Sequence, residues 1–443
     1  MAAIAIPSMY YSKNGSRICC LLLWTIWLVL VAVVGAQHEV FQARGSAFEI
    51  GVAYGTHFQT KLEAVLKFKT TQQHAHVMAE WNELAKSSRA AIQTYAPLYW
   101  QELLGTSQGS GLTIHQLLLL ATEYEADMSV LPQELSSSAP RGKGCTGFVL
   151  LGNNDNGNDT DTTASWIGQT NDDHPAYWAH CDWDVLLHLE IKELDFEPIL
   201  VYTHVGIPAY LGTTRARGVT WYYIDDGMRL NDNPQSSFLP TTVLIRQLMY
   251  LPAEEGGHEH ITLEDYLRII PKAVPNAFLI LDYSFQNNAT TAFSIELSPV
   301  TERCSIRKSN VSDSFLVHAN HVMHSAQMWQ TEVRLAGLDV GHKSIDRYQL
   351  LKERLWKKKH DNAETKNDPA IYFEMLSTLP IDNVKTLASV IMNPRQGCLY
   401  IRWYDKNRNW TLPSKNRHTT LDYQRICVDP TNNSANLPFG AIT

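Results

Sequence analysis

The stretch Ser136-Ser-Ser-Ala-Pro-Arg-Gly-Lys-Gly-Cys-Thr-Gly-Phe-Val-Leu-Leu151 separates two parts of the chain that differ in the periodicity of their apolar residues. Its first part, which ends at Gly144, is rich in Ser, Gly and Pro, a composition typical of loops. Cys145 follows, and the run from Thr146 to Leu151 has the pattern of a buried strand. A cysteine at the junction between a flexible loop and a strand is a candidate nucleophile.

Upstream of this junction the periodicity is helical, and downstream it is mostly that of strands. From Phe48 to about Met128, apolar residues recur three or four positions apart, as in Tyr54, Phe58 and Leu62. The predicted strands downstream are Thr146 to Leu151, Ala164 to Gln169, Ile199 to Val205, Val219 to Ile224, Ala277 to Asp282, Ala292 to Glu296, Phe315 to His318, Leu387 to Met392 and Leu399 to Trp403. The predicted helices among them are Thr241 to Tyr250, Leu263 to Ile270 and Ser344 to Lys357. Because strands and helices come in blocks, the pattern favours a layered α+β fold.

Composition and charge exclude several classes of protein. With 44% hydrophobic and 19% charged residues, the chain is too apolar to be disordered. Its net charge is −8, and its one short basic run, Trp356-Lys-Lys-Lys359, reads as a solvated helix face. We therefore expect no nucleic-acid partner.

The N-terminus has the pattern of a secretory signal peptide over residues 1–36. Lys13 and Arg17 precede an apolar run from Ile18 to Val34, which ends in small residues suited to signal peptidase. The run is at the short limit for spanning a bilayer, so an uncleaved signal anchor is the alternative. The main body is expected to be secreted or to lie in the secretory-pathway lumen, without a stable membrane span.

Sequons and cysteines agree with this compartment. The five candidate glycosylation sites are Asn158, Asn288, Asn310, Asn409 and Asn432. Five cysteines remain after the signal: Cys145, Cys181, Cys304, Cys398 and Cys427. An odd number leaves at least one thiol unpaired in an oxidising compartment. Cys398 and Cys427 could pair, but the sequence does not fix the connectivity.

Two interpretations of Cys145 compete. Most lone cysteines are small buried hydrophobic residues. However, if the bond between Gly144 and Cys145 is cut, the thiol and a new α-amino group belong to one residue, and that amine can act as the base for the thiol. A small residue before the cut also lets the thiol reach the preceding carbonyl.

Several further motifs occur in order along the chain, and with the Gly144-Cys145 junction they resemble one family. They are Phe48-Glu-Ile-Gly51, Pro97-Leu-Tyr-Trp-Gln-Glu102 with Leu104-Gly105, Gly168-Gln-Thr-Asn-Asp172, Ile295-Glu-Leu-Ser-Pro299 and His318-Ala-Asn-His321. The chain resembles the acyl-coenzyme A:6-aminopenicillanic acid acyltransferase family, self-activating N-terminal nucleophile enzymes that are also classed as peptidases.

The resemblance implies a four-layer αββα N-terminal nucleophile hydrolase fold. It also implies cleavage into a helical α fragment, residues 37–144, and a catalytic β fragment, residues 145–443, that stay associated. Cys145 matches the nucleophile, Asp172 the acidic residue that closes the Gly-Gln motif, and Asn320 the residue expected to donate to the oxyanion. An Asp at position 172 could equally be a turn cap. The family implies no cofactor.

The chain departs from the family pattern near the expected substrate pocket. Thr170-Asn171 replaces the usual Asn-Trp before Asp172, and residues 212–218 differ from the family's turn. The polar insert of residues 152–163 lacks calcium-loop spacing, and we expect a hairpin loop there. The histidines at 318, 321, 324, 258 and 260 lack zincin spacing, so no metal is predicted. A papain-like site is the other alternative, but the residues after Cys145 lack its pattern.

These observations predict a secreted, self-processing cysteine amidohydrolase or acyltransferase that acts on a small N-acyl compound through an acyl-enzyme on Cys145. Hydrolysis is favoured over transfer, because acyl-coenzyme A donors are scarce outside the cytosol. The competing hypothesis is a secreted glycoprotein with the same fold and no activity.

Overall fold

The computed structural model describes residues 39–71, 73–130, 144–152, 164–172, 183–195, 197–224, 237–251, 262–285, 289–298, 304–309, 315–321, 323, 340–360, 368–378, 380–381, 386–404 and 423–428. Residues Val40–Thr443 form one unit, and the second unit, Met1–Glu39, lies almost wholly outside the described residues. The expected signal peptide and all five sequons also fall outside them. Among the described helices, none combines the length and apolar character needed to cross a membrane.

Helices dominate the part of the chain before Cys145, as the periodicity predicts. They are α1 (Ala47–His57), α2 (Gln59–Thr71), α3 (Ala75–Tyr95), α4 (Pro97–Ser110), α5 (Ile114–Ala121) and α6 (Glu123–Val130). A capping box begins α1, where the Ser46 hydroxyl accepts from the Glu49 backbone N–H at 3.2 Å and the Glu49 carboxylate accepts from the Ser46 N–H at 2.8 Å. These bonds satisfy two backbone donors that a helix start otherwise leaves open.

Helices α1 and α4 pack backbone against backbone. A Cβ atom placed on Gly51 would lie 2.0 Å from the Glu102 carbonyl oxygen, and one on Gly105 would lie 2.0 Å from the Phe48 carbonyl oxygen. Such contacts leave no room for any side chain. The glycines of two motifs quoted from the sequence, at positions 51 and 105, therefore determine how closely these helices approach.

The strands form two sheets, and all of the described strands except β1 follow Cys145 in sequence. The strands are β1 (Glu39–Gly45), β2 (Thr146–Leu150), β3 (Trp166–Asp172), β4 (Asp184–Ile191), β5 (Pro198–His204), β6 (Leu211–Thr213), β7 (Arg217–Tyr223), β8 (Asn276–Ser284), β9 (Ala289–Leu297), β10 (Ser305–Lys308), β11 (Phe315–His318), β12 (Thr386–Asn393), β13 (Cys398–Trp403) and β14 (Gln424–Cys427). One sheet has eight strands in the order β1-β4-β5-β6-β7-β8-β9-β10, and the other has six in the order β11-β2-β3-β12-β13-β14.

The two sheets pack face to face, with helices on their outer faces. The remaining helices are α7 (Thr241–Tyr250), α8 (Leu263–Ile269), α9 (Val340–His360) and α10 (Pro369–Leu376). In β7, Arg217 bonds to the Leu248 carbonyl at the end of α7, and the next residue, Gly218, faces Ile167 of the six-stranded sheet. Adjacent strand residues point to opposite faces, so β7 lies between α7 and the second sheet.

The same alternation applies in the six-stranded sheet. Gly147 faces Tyr222 of the eight-stranded sheet, and Phe148 packs on Tyr372 of α10. Trp166 and Phe373 belong to the same outer core. The order of layers is helix, sheet, sheet, helix, which confirms the expected α+β, αββα architecture.

The cysteines resolve one alternative that the sequence leaves open. Cys398 and Cys427 form a disulfide between the paired strands β13 and β14. Within the described ranges Cys145 and Cys304 carry thiols outside any disulfide, and Cys181 lies outside those ranges.

Candidate active site

Cys145 lies at the start of β2, between the two sheets. Its side chain is buried and opens onto a small pocket. The residues that line this pocket are Glu123, Tyr124, Cys145, Asn171, Asp172, Ile207, Tyr210, Trp221, Tyr223 and Thr242. A Cβ on Gly147 would lie 2.1 Å from the Tyr222 hydroxyl oxygen, so glycine there lets the opposite sheet approach the nucleophile closely.

Asp172 lies at the end of β3 and lines the same pocket as Cys145. The antiparallel pairing of Thr146 with Thr170 brings the start of β2 and the end of β3 to one edge of the sheet. The Thr386 hydroxyl donates to the Asp172 carboxylate at 2.8 Å, and this carboxylate is buried. The structure thus brings together two of the three catalytic residues predicted from sequence.

Asn320 follows β11, and its backbone and side chain are both held in place. Its N–H donates to the Ser344 hydroxyl at 2.8 Å, and its Nδ2 donates to the Tyr223 carbonyl at 2.7 Å. Tyr223 is a pocket residue, whereas Asn320 is not among the lining residues. Because Nδ2 carries two hydrogens, one remains for a further acceptor.

Arg347 of α9 joins Asn320 to Thr146, the residue that follows Cys145, and it was not predicted from the sequence. Its Nη2 donates to Asn320 Oδ1 at 2.7 Å, and its Nε donates to the Thr146 hydroxyl at 2.8 Å. Burial lowers the pKa of Arg347, an effect that Asp172 and Cys145 oppose through their charges. A Cβ on Gly144 would lie 3.1 Å from Arg347 Nη2, so a side chain before Cys145 would crowd the guanidinium.

A sequence signal for Arg347 does exist. Arg347, Leu351 and Leu355 are spaced four residues apart in the predicted helix, and all three are buried. A charged residue on the apolar stripe of a helix needs a partner in the interior. An arginine in that position therefore predicts a buried polar site.

The two described histidines of the His318-Ala-Asn-His321 motif hold the segment that carries Asn320. His318 contacts the buried Glu296 carboxylate at 3.3 Å and stacks on Tyr222. The His321 Nδ1 is 2.8 Å from the Ser344 hydroxyl, which already accepts from Asn320 N–H. Burial, reinforced by the charge of His318, lowers the pKa of His321 to about 4. His321 is therefore neutral at neutral pH.

No group of three or more His, Cys, Asp or Glu in the described ranges could hold a metal ion. Residues 258, 260 and 324 lie outside those ranges, as does most of the polar insert at 152–163.

Aromatic side chains form much of the pocket wall. The Tyr210 and Trp221 rings are parallel, with centroids 6.2 Å apart, and Tyr124 meets Trp221 edge-on at 4.6 Å. The acidic pocket residue Glu123 is paired with the buried Lys69 of α2. The pocket therefore combines electron-rich rings with oxygen acceptors.

Comparisons with known proteins found only distant similarity. No protein-family profile and no curated protein matches the chain. The chain is similar to the Caenorhabditis elegans ortholog of N-acylethanolamine-hydrolyzing acid amidase, with 14% identity, a TM-score of 0.37, and coverage of 57% of this chain and 93% of that one. It is also similar to a mutant conjugated bile acid hydrolase from Clostridium perfringens, with 12% identity, a TM-score of 0.36, and coverage of 66% and 95%.

Proposed function

We propose that this protein is a self-processing cysteine amidohydrolase whose nucleophile is Cys145. One observation carries the proposal: the Cys145 thiol, the Asp172 carboxylate and the Arg347–Asn320 pair meet at one buried edge of the six-stranded sheet. Arginine and a carboxylate beside a buried thiol are groups that activate and orient a nucleophile.

Self-processing would begin with attack of the Cys145 thiol on the Gly144 carbonyl carbon. The C–N bond breaks as the C–S bond forms, the amide nitrogen takes a proton, and water then cleaves the thioester. Cys145 is left with a thiol and a new α-amino group, and Gly144 with a carboxylate. Gly144 has no side chain and lies beside the Arg347 guanidinium.

In the mature enzyme the new α-amine would take the thiol proton, since an α-amino group titrates near neutral pH. Asp172 accepts a hydrogen bond from Thr386 and has further acceptor capacity to orient that amine. The guanidinium of Arg347 favours the thiolate, because opposite charges attract strongly at a buried site.

Turnover on a small N-acyl compound would follow the usual acyl-enzyme sequence. The thiolate attacks the amide carbonyl, and the remaining Nδ2 hydrogen of Asn320 donates to the oxyanion. The amine departs with a proton, and water hydrolyses the thioester. The apolar run and the sequons support placing the enzyme in the secretory pathway or outside the cell, where water is the available acceptor.

The test is intact mass and N-terminal sequencing of purified, deglycosylated protein. We expect a new N-terminus at Cys145 in the parent and an uncut Cys145→Ala chain. Cys304→Ala is the matched control, because Cys304 is the other described thiol outside a disulfide and lies outside the pocket. It should be cut like the parent. An uncut parent, or a parent whose thiol takes no acyl group from an activated ester, would favour the inactive glycoprotein.

A further inference from the structure

Asn171 is a pocket residue whose side-chain amide is held by a hydrogen bond inside the protein. It precedes Asp172 in β3, lines the pocket with Cys145, and is 5% exposed. Its Nδ2 donates to the Tyr202 hydroxyl at 3.0 Å. No described residue donates to its side-chain oxygen.

The direction of this hydrogen bond is set by a buried carboxylate further inside. The Tyr202 hydroxyl donates to Asp184 Oδ1 at 3.0 Å, so its oxygen must accept from Asn171. Asp184 Oδ1 also contacts His204 Nε2 at 2.7 Å. Since an ionised carboxylate only accepts, the polar hydrogens around it point inward. The Asn171 amide nitrogen therefore faces Tyr202, and its oxygen is turned away from Asp184.

His204 extends the same pattern to the Tyr210 ring. Its Nε2 lies 2.7 Å from Asp184 Oδ1, and its Nδ1 lies 3.2 Å from the Tyr210 hydroxyl. The buried Asp184 thus fixes two chains of hydrogen bonds that both end at pocket residues. One runs through Tyr202 to Asn171, and the other runs through His204 to Tyr210.

The rest of the lining suits a group that donates hydrogen bonds and carries positive charge. Four aromatic residues, Tyr124, Tyr210, Trp221 and Tyr223, line the pocket, and their ring faces attract cations. Among the described residues, the lining includes the carboxylate of Asp172 and that of Glu123, which is paired with Lys69, and it includes no basic residue. Arg347 contacts Thr146 and Asn320 and is not among the lining residues.

We propose that Asn171 is a specificity-determining residue that accepts a hydrogen bond from an ammonium group of the N-acyl substrate, and that Tyr202 is its positioning residue. The inference rests on the proposed function and names the substrate class of that same site. A hydrogen bond to a charged group contributes about a 10- to 100-fold preference. The preferred substrates are then small amides that carry an ammonium group.

The experiment compares substrates that differ only in the exchange of an ammonium for a methyl group. One pair, the γ-aminobutyryl and pentanoyl amides of p-nitroaniline, changes the acyl part. The other pair, the acetyl amides of ethylenediamine and propylamine, changes the amine part. We expect the parent to favour the ammonium member of one pair by about 10- to 100-fold in kcat/KM, and the responding pair identifies the side that meets Asn171.

Two variants test the assignment. Asn171→Leu replaces the amide with an apolar side chain of similar size and should bring the kcat/KM ratio of the responding pair close to one. Tyr202→Phe keeps the buried ring and removes only the hydroxyl that fixes the amide, so the ratio should fall by about 3- to 10-fold. If Asn171 had only a structural role, its substitution would lower kcat/KM equally for both substrates of the pair and leave their ratio unchanged.

Binding to Cys145→Ala, measured by calorimetry, separates this inference from the proposed function. A preference for ammonium ligands that Asn171→Leu removes would uphold the specificity site even if Cys145 proved unreactive. An acyl-enzyme on Cys145 without any ammonium preference would overturn the role of Asn171 and leave the hydrolase proposal standing.

Discussion

Arg217 and Arg347 are both buried arginines, and the two regions around them treat the charge differently. Arg217, between β7 and α7, forms two hydrogen bonds to Asp282, at 2.6 and 2.7 Å, and its Nη1 donates to the Leu248 carbonyl. Arg347, beside Cys145, donates to the neutral oxygens of Thr146 and Asn320. Within the described ranges no carboxylate lies within ion-pair distance of Arg347.

The difference indicates which charge serves the fold and which serves chemistry. A buried cation matched by a bidentate carboxylate is neutralised locally and exerts little field beyond its partner. A buried cation held by neutral dipoles keeps its field, and the burial that lowers the pKa of Arg347 is opposed by Asp172 and Cys145. Arg217 therefore ties β7 to its neighbours, whereas the charge of Arg347 acts on Asp172 and Cys145.

The largest expected effect comes from breaking the matched pair. Arg217→Leu leaves Asp282 as a buried carboxylate without its cation, and the free energy of unfolding should fall by about 3–5 kcal/mol. Urea unfolding measures this change. The double variant with Asp282→Leu should recover much of the loss, because it removes both charges. A single variant as stable as the parent would contradict the structural role given to Arg217.

The second prediction concerns the unmatched arginine. Arg347→Gln should lower kcat/KM by about 10²- to 10³-fold, the range found when one group that stabilises a transition-state charge is removed. Its free energy of unfolding should change by less than that of Arg217→Leu. Arg347→Lys keeps the charge but cannot reproduce both bonds to Thr146 and Asn320. Its activity should therefore fall between that of the parent and that of Arg347→Gln. Equal losses of stability in the Arg217 and Arg347 variants would contradict the comparison.

Glu125 offers a third treatment of a buried charge, which is to remove it by protonation. The carboxyl accepts from the Thr241 N–H at the start of α7, and its second oxygen has no partner among the described residues. Burial raises the pKa of Glu125 from 4.5 to about 7. The Glu125 carboxyl therefore ionises at lower pH in the unfolded chain than in the folded one.

The contribution of Glu125 to the free energy of unfolding is fully present below about pH 4.5 and is lost as the pH rises through about 7. The loss is about 3 kcal/mol at most. Glu125→Gln keeps an acceptor for Thr241 N–H and cannot ionise, so the variant should lack this decline when urea midpoints are compared at about pH 5 and about pH 8. A parent and variant with parallel pH profiles would rule out the assignment.

The smallest expected effect on stability concerns the N-terminal cap of α1, a site without a buried charge. Ser46→Ala removes the hydroxyl that caps α1, and the free energy of unfolding should fall by about 1 kcal/mol. Ser46→Gly is the comparison, since glycine costs only a few tenths of a kcal/mol at this position. Thermal or urea unfolding of the two variants distinguishes a true cap from a general surface effect.

Much of the fold could be predicted because its strands are apolar runs bounded by turn residues. Phe315–His318 and Thr241–Tyr250 agree with their predicted bounds, and most others differ by one to three residues. Asp184–Ile191 was missed, since polar residues such as Asp184 and His188 interrupt its apolar pattern. Pro369–Leu376 was missed because a short apolar run does not reveal its period, although Asp368 and Pro369 are a helix-start signal.

The site was predictable only where a local motif marks a residue. Cys145 and Asp172 were found from motifs, and the structure places them in one pocket. The contacts of Asn171 with Tyr202, and of Tyr202 with Asp184, join three different strands. Such contacts depend on strand order, which spacing along the chain does not determine.

Gln169 of β3 links the six-stranded sheet to the eight-stranded sheet near the site. Its side-chain Nε2 donates to the Trp221 carbonyl at 2.8 Å, and its Oε1 accepts from the Trp221 N–H at 2.9 Å. The Gln169 amide thus pairs with the Trp221 backbone as a neighbouring strand would, and it joins the two sheets. Sliding one sheet over the other would break both bonds at once. The Cys145 thiol beside one sheet and the aromatic wall on the other are therefore held in alignment.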